Sequence, residues 1–200
     1  NIGNPAFNIP DYEPIVEMAR RKGICVMVDN TFGMGGYLFR PFEWGANVSI
    51  HSATKWICGH GTALGGVVVD GGNFDWTPEK YPLLAAPSES YHGLVYKEVF
   101  GDAAFAGRVR VDGLRNIGPA ASPFNSFLML QGLETLSLRA ERCCDNALAV
   151  AEFLEKHPAV ESVNYPGLKS NPYHELGCKY LKHGFGGVLT FRVKGGFDAA

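Results

Sequence analysis

The fold is decided by residues 24–31, ICVMVDNT, in which five successive apolar residues lead directly into a polar end that begins at Asp29. A short run that is apolar on both faces is typical of a buried strand in a parallel sheet. Upstream, residues 14–22 predict a helix for which Asp11 supplies an N-cap side chain. A helix followed by a buried strand indicates an α/β fold.

Two further strands are predicted downstream of this stretch, at residues 47–51 and 65–70. The first of them leads into Ser52-Ala53-Thr54-Lys55, and the second follows a glycine-rich turn. Together with residues 24–28, they predict a mainly parallel sheet within a large α/β domain.

A long helix is predicted from Ser122, which offers an N-cap hydroxyl and is followed by Pro123 at the first helical position. Its apolar side chains recur at helical spacing, and we expect a kink before it ends near Pro158. Beyond it, residues 160–165 and 187–193 predict strands of a smaller α+β domain. The predicted organisation is part of a large domain at 1–121, a connecting helix at 122–157 and an incomplete small domain at 158–200.

The composition excludes several classes of protein. A formal net charge of -2 gives no electrostatic reason to expect nucleic acid or an anionic membrane as a partner. No apolar run reaches the roughly 20 residues that a membrane span needs, and no signal peptide is visible. The five cysteines are odd in number and none has metal-ligand spacing, which predicts reduced thiols, no metal site and a cytoplasmic location.

Candidate chemistry lies at the ends of the first two predicted strands. In open α/β sheets, ligands bind outside the carboxyl ends of the strands, which is where Asp29 and Lys55 fall. A desolvated lysine amine can form a Schiff base, and a carboxylate can hold the proton of a pyridine nitrogen. Taken singly, each residue also has an ordinary interpretation: Asp29 as a turn former, Lys55 as a solvated surface charge, and Ser52 and Thr54 as turn hydroxyls.

The combination of motifs in order resembles a known family. The motifs are Asn4-Pro5, Val28 to Phe32 (VDNTF), His51 to Trp56 (HSATKW), Gly59 to Thr62 (GHGT), Gln131 to Arg142 (QGLETLSLRAER) and Gly184 to Leu189 (GFGGVL). They are similar to those of the Cys/Met-metabolism enzymes that depend on pyridoxal 5′-phosphate (PLP). The resemblance extends over essentially the whole chain. It implies the PLP-dependent transferase fold, known as fold type I.

The resemblance also implies roles for individual residues. Lys55 is implied as the catalytic residue that forms the Schiff base to PLP, and Asp29 as the partner of its ring nitrogen. Ser52 and Thr54 are implied at the cofactor phosphate. Asn4 is implied near the phenolic oxygen of PLP or the substrate carboxylate, and Thr31 beside the ring.

Within the family, His60-Gly61-Thr62 and Tyr91-His92-Gly93 resemble the O-acetylhomoserine sulfhydrylase subgroup. This implies γ-replacement, in which sulfide or another thiol displaces acetate from O-acetyl-L-homoserine to give L-homocysteine. The alternatives are methionine γ-lyase activity and an activity like that of cystathionine γ-synthase or γ-lyase. The family also implies a homo-oligomer, a dimer of dimers.

Other segments expected of the family do not occur in this chain. They are the glycine-rich phosphate loop, the tyrosine that stacks on the ring and the arginine that binds the substrate carboxylate. We therefore expect an internal fragment of a longer enzyme, since the chain begins at Asn1 without Met and stops within a segment. The rival hypothesis from another class is a non-catalytic α/β module that binds PLP weakly or packs against a partner.

Overall fold

The computed structural model describes residues 2–3 and 6–199, and its elements alternate in the order expected of an α/β protein. The strands are β1 (Met27–Asp29), β2 (Val48–Ser52), β3 (Gly66–Asp70), β4 (Val160–Asn164) and β5 (Thr190–Val193). The α-helices are α1 (Tyr12–Lys22), α2 (Pro82–Ala85), α3 (Tyr96–Phe100), α4 (Ala104–Arg108), α5 (Arg115–Ile117), α6 (Pro123–Glu134), α7 (Leu136–Glu155) and α8 (His174–Tyr180). Short 3-10 segments lie at Thr31–Gly36, Pro41–Trp44, Glu89–Tyr91, Gly101–Ala103 and Gly196–Ala199, and a π-helical segment lies at Val109–Leu114.

The first sheet has the order β1-β2-β3. β1 and β2 are parallel, with Asp29 opposite Ile50. β3 runs antiparallel to β2, with Ser52 opposite Gly66, so this three-stranded sheet is mixed. The connection between β2 and β3 contains no α-helix, whereas a parallel pair needs a crossover of a dozen or more residues, usually a helix.

β1 is less enclosed than its apolar sequence predicts. Val28 is buried, but Met27 is 46% exposed and Ile24, just before the strand, is 54% exposed. Met27 borders two open cavities, which leaves one side of the strand in contact with solvent. The prediction of burial on both faces is therefore wrong for this chain.

Helix α1 begins after Asp11, as predicted, but Asp11 makes no side-chain capping bond. Its carboxylate instead accepts hydrogen bonds from Lys179 and from the Tyr180 hydroxyl, both in α8. The helix ends as predicted at Gly23, whose φ of 57° is a left-handed conformation that glycine adopts without a steric penalty.

The predicted long helix is divided into two helices, which is a sharper interruption than the expected kink. Ser122 caps α6, as its hydroxyl accepts the Phe124 N–H at 3.3 Å. Thr135, with φ −106° and ψ 7°, separates α6 from α7. Leu136 and Ala140 of the predicted apolar stripe are buried. Its earlier members are exposed: Phe127, Leu130 and Leu133.

The main apolar core joins residues from both ends of the chain. Val28 of β1, Tyr12 of α1, Ala140 of α7 and Tyr180 of α8 are all buried in it. A second cluster surrounds Trp76, and a third packs α7 against the β4–β5 region. This packing holds β1 and β2 in the positions that bring their carboxyl ends together. Among the described residues, no helix has the length and apolar character needed to cross a membrane.

Candidate active site

The candidate site lies at the edge where parallel strands β1 and β2 end. Asp29 is the last residue of β1 and Ser52 the last of β2. Lys55 follows Ser52 in a tight turn and donates its N–H to the Ser52 carbonyl at 3.2 Å. The parallel pairing therefore brings together a carboxylate and an amine that lie 26 residues apart in the sequence.

A cavity of about 630 Å³ opens at this edge, and four of the predicted site residues line it: Asp29, Thr31, Ser52 and Lys55. Its volume is within the range of about 300–1,000 Å³ typical of small-molecule sites. Apolar and aromatic side chains, including Tyr12 and Phe32, form much of the remaining wall. The cavity thus combines an apolar wall with a few convergent polar groups.

Thr31 links the ends of the two strands. Its hydroxyl oxygen accepts the Ser52 N–H at 2.8 Å, and its O–H donates to the Asp29 carboxylate. The Thr31 N–H also donates to Asp29 Oδ1 at 3.0 Å. One threonine therefore holds the carboxylate beside the end of β2.

Asp29 carries a negative charge over a wide pH range. Partial burial acts to raise its pKa, but the hydrogen bonds from the Thr31 hydroxyl and N–H outweigh burial, so the pKa lies below its usual value. An ionised carboxylate is the group needed opposite a protonated ring nitrogen. A lysine amine, an ionised carboxylate and hydroxyls in one cavity fit the reactive parts of PLP.

Of the two remaining predicted site residues, Thr54 lies away from the cavity and Asn4 is not described by the structure. Thr54 does not line the cavity, and its hydroxyl accepts the Gly65 N–H at 3.1 Å and donates to the Gly65 carbonyl at 3.3 Å. Its role at a phosphate stays a prediction. Asn4 lies outside the described residues.

A second cavity, of about 810 Å³, is also lined by Lys55 and shares Thr31 and Phe32 with the first. Its wall continues along α7 through Arg139, Arg142 and Cys143. Lys55 therefore borders both cavities, which offer space for an adduct on its amine.

The histidines near the site make structural contacts. His60 Nδ1 donates a hydrogen bond to the Cys58 carbonyl oxygen at 2.7 Å. His51 Nε2 lies 3.0 Å from Ser49 Oγ within β2. Burial lowers the pKa of His51 despite the nearby Asp29 charge, which favours a neutral imidazole.

Arg139 was not among the predicted site residues, although it falls within the Gln131 to Arg142 motif. The structure places its guanidinium against the Trp56 carbonyl, one residue beyond Lys55. Its spacing of seven residues from Gly132 would put both residues on one side of a continuous helix, although the structure divides that helix at Thr135.

Comparison with known proteins agrees with this geometry. The family described as Cys/Met metabolism PLP-dependent enzyme matches residues 1–200. A homocysteine/cysteine synthase of Kluyveromyces lactis is 56% identical over 196 residues, covering 97% of this chain and 44% of that protein. O-acetyl-L-homoserine sulfhydrylase 1 of Thermus thermophilus is 54% identical over 200 residues, covering 100% of this chain and 48% of that protein. The chain thus spans somewhat less than half the length of these relatives.

A solved structure agrees with the fold as well. A crystal structure described as an O-acetylhomoserine (thiol)-lyase of Campylobacter jejuni superimposes with a TM-score of 0.91 at 38% identity. The superposition covers 96% of this chain and 47% of the other, and that protein contains N′-pyridoxyl-lysine-5′-monophosphate. The predicted fold class and the family resemblance are confirmed, and the chain belongs to the Cys/Met-metabolism family of PLP-dependent enzymes.

Proposed function

We propose that the complete protein to which this chain belongs catalyses γ-replacement on O-acetyl-L-homoserine. In this reaction the Cγ–O bond to acetate breaks and a Cγ–S bond to sulfide or another thiol forms, which gives L-homocysteine and acetate. The observation that carries the proposal is the single cavity lined by Asp29, Thr31, Ser52 and Lys55. The choice of reaction is supported by relatives named homocysteine synthase and O-acetyl-L-homoserine sulfhydrylase.

PLP, when bound, supplies an electron sink that makes the α- and β-protons of the substrate acidic and allows the γ-substituent to leave. Lys55 Nζ is the group that would hold the cofactor and then carry protons to and from the substrate carbons. This assignment is supported by the position of Lys55 in the walls of both cavities.

Asp29 would keep the ring nitrogen protonated through its carboxylate. Its lowered pKa means that the carboxylate remains ionised at neutral pH. Thr31 would keep this carboxylate in place through its two hydrogen bonds to Asp29 and its bond to the Ser52 N–H. Ser52 remains a proposed hydroxyl donor to the phosphate, and Thr54 would donate as well only after its hydroxyl releases the Gly65 carbonyl.

We further propose a cytoplasmic homo-oligomer, a dimer of dimers. Five free thiols fit a reducing compartment. Large exposed apolar side chains, such as Ile117 and Phe124, fit a surface that is covered in the assembled protein.

The test of the reaction supplies the full-length protein with O-acetyl-L-homoserine, with and without sulfide, and quantifies homocysteine and 2-oxobutyrate. We expect homocysteine to dominate at saturating sulfide. Product choice is a ratio of competing barriers, in which about 1.4 kcal/mol corresponds to a tenfold change. If 2-oxobutyrate dominates, or if methionine is cleaved faster, the protein is a γ-lyase.

The same preparation tests the site. Reduction with borohydride followed by peptide mapping should place the pyridoxyl group on Lys55, with exposed Lys22 as the internal control. A yellow protein whose absorbance responds to O-acetyl-L-homoserine supports an enzyme. A colourless protein that takes up no PLP supports the non-catalytic alternative.

A further inference from the structure

The segment from Ala53 to Gly59, here called the lysine turn, carries Lys55 on a compact backbone. The Cys58 N–H donates to the Ala53 carbonyl at 2.8 Å, and the Gly59 N–H donates to the Lys55 carbonyl at 2.7 Å. Such a turn ends with carbonyl groups that need partners from elsewhere in the protein. The carbonyl of Trp56, next to Lys55, is one of them.

Arg139 of α7 supplies the donors for this carbonyl. Both terminal guanidinium nitrogens lie 3.1 Å from the Trp56 oxygen. Nη2 also donates to the Gly132 carbonyl at 2.6 Å, and Nε donates to Thr135 Oγ1 at 3.1 Å. One half-buried side chain thus connects the lysine turn, the end of α6 and the break between α6 and α7.

The contact depends on two glycines that leave no room for a side chain. A Cβ on Gly132 would lie 2.2 Å from the Cys58 oxygen and 2.4 Å from the Ile57 oxygen. A Cβ on Gly59 would lie 2.3 Å from Cζ of Arg139. The lysine turn and α6 therefore approach each other at backbone distance, with the guanidinium between them.

The guanidinium of Arg139 bonds to the lysine turn rather than to a carboxylate. No carboxylate among the described residues lies within 4.0 Å of its guanidinium. Its planar fork is directed at carbonyl and hydroxyl oxygens, a geometry that a lysine ammonium cannot reproduce. The Trp56 ring itself packs closely against Gly187, where a Cβ would lie 2.6 Å from a ring carbon. The residue after Lys55 is thus fixed at both its carbonyl and its ring.

We propose that Arg139 is a positioning residue that sets the orientation of Lys55 through the Trp56 carbonyl. The proposal rests on the proposed function, because the orientation of Lys55 matters only if its amine holds the cofactor. Arg139 acts through the backbone of the lysine turn and needs no contact with substrate or cofactor. Its loss should loosen this turn while leaving distant elements unchanged.

The experiment compares full-length wild type with Arg139→Met and Arg139→Lys by hydrogen exchange of the peptide that covers the lysine turn. We expect Arg139→Met to speed exchange at the Cys58 and Gly59 amides by at least about tenfold, the factor expected when a charge-assisted hydrogen bond is lost. Exchange at these amides in Arg139→Lys should be faster than in wild type and slower than in Arg139→Met. The matched control is Arg192→Met, which removes an exposed ion pair with Glu161 far along the chain and should change neither readout.

The second readout is the rate at which added PLP becomes attached to Lys55 in the cofactor-free protein, together with the circular dichroism of the bound cofactor. If Arg139 positions Lys55, Arg139→Met should slow attachment and alter the dichroism band. If Arg139 only stabilises the fold, Arg139→Met should speed exchange throughout the chain and leave the dichroism band of the folded fraction unchanged. The proposal is overturned if the lysine turn of both variants exchanges at the wild-type rate. If wild type itself never attaches PLP, the proposed function fails, but the exchange comparison still decides the role of Arg139. If Arg139→Met does not fold, Arg139→Lys decides both readouts.

Discussion

The link that Thr31 makes between Asp29 and Ser52 can be broken with almost no change in side-chain shape. Thr31→Val keeps the branched side chain but removes the hydroxyl that accepts the Ser52 N–H at 2.8 Å and donates to Asp29. A half-buried N–H left without a partner costs about 1–3 kcal/mol, and recovered solvation offsets part of this. We therefore expect Thr31→Val to lower the free energy of unfolding by about 1–2 kcal/mol, roughly 5- to 30-fold in the folded-to-unfolded ratio.

Asp29 adds a pH dependence to this loss. The folded pKa of Asp29 is lowered, so its stabilising contribution is present above the unfolded pKa of about 3.9 and disappears as pH falls through the folded pKa. Because Asp29 is largely exposed, this contribution is smaller than that of the Ser52 N–H. The difference between Thr31→Val and wild type should therefore shrink in acid but not vanish.

The assay is urea unfolding of the full-length protein at neutral and acidic pH, followed by tryptophan fluorescence. Thr31→Ser, which retains the hydroxyl, is the matched control and should stay close to wild type. The reasoning is refuted if Thr31→Val keeps the wild-type midpoint at neutral pH, or if Thr31→Ser loses as much stability as Thr31→Val.

Two other expectations concern the rest of the chain. Tyr165→Phe removes the buried hydroxyl that donates to the Gly186 carbonyl at 2.8 Å, so the free energy of unfolding should fall by about 1–2 kcal/mol; an unchanged urea midpoint would contradict this. The 200-residue chain alone should self-associate, because Leu64, Ile117 and Phe124 are 75%, 82% and 67% exposed. Sedimentation as a compact monomer at micromolar concentration would show that these apolar surfaces are tolerated in water.

Strand direction is one feature that the sequence did not predict correctly. Residues 65–70 predict a strand because their β-branched apolar residues are a local signal, and the structure has this strand at Gly66–Asp70. Its antiparallel direction depends on how the chain returns from the lysine turn, and apolar residues alone do not encode that path. A kink in the long helix was expected, but its place at Thr135 is not encoded locally, because the helical spacing of apolar residues continues on both sides of it.

Ser52 and Thr54 differ in whether the local sequence predicts the contacts of their hydroxyls. Ser52 lines the cavity, because it ends a strand whose carboxyl edge is the ligand side of the sheet. Thr54 has the same chemistry two residues later, but its hydroxyl is engaged by the backbone of Gly65. That contact exists only because β3 folds back beside β2.

The sequence by itself determined the family, the fold class and the strand ends at which Asp29 and Lys55 lie. These features follow from short patterns, in which an apolar run specifies a strand and the residue after it lies at the edge of the sheet. Only the tertiary structure decided that Thr31 joins Asp29 to Ser52 and that Arg139 holds the carbonyl beside Lys55. Arg139 contacts a residue 83 positions away, and such a contact forms only when helix, turn and glycine gaps are packed together.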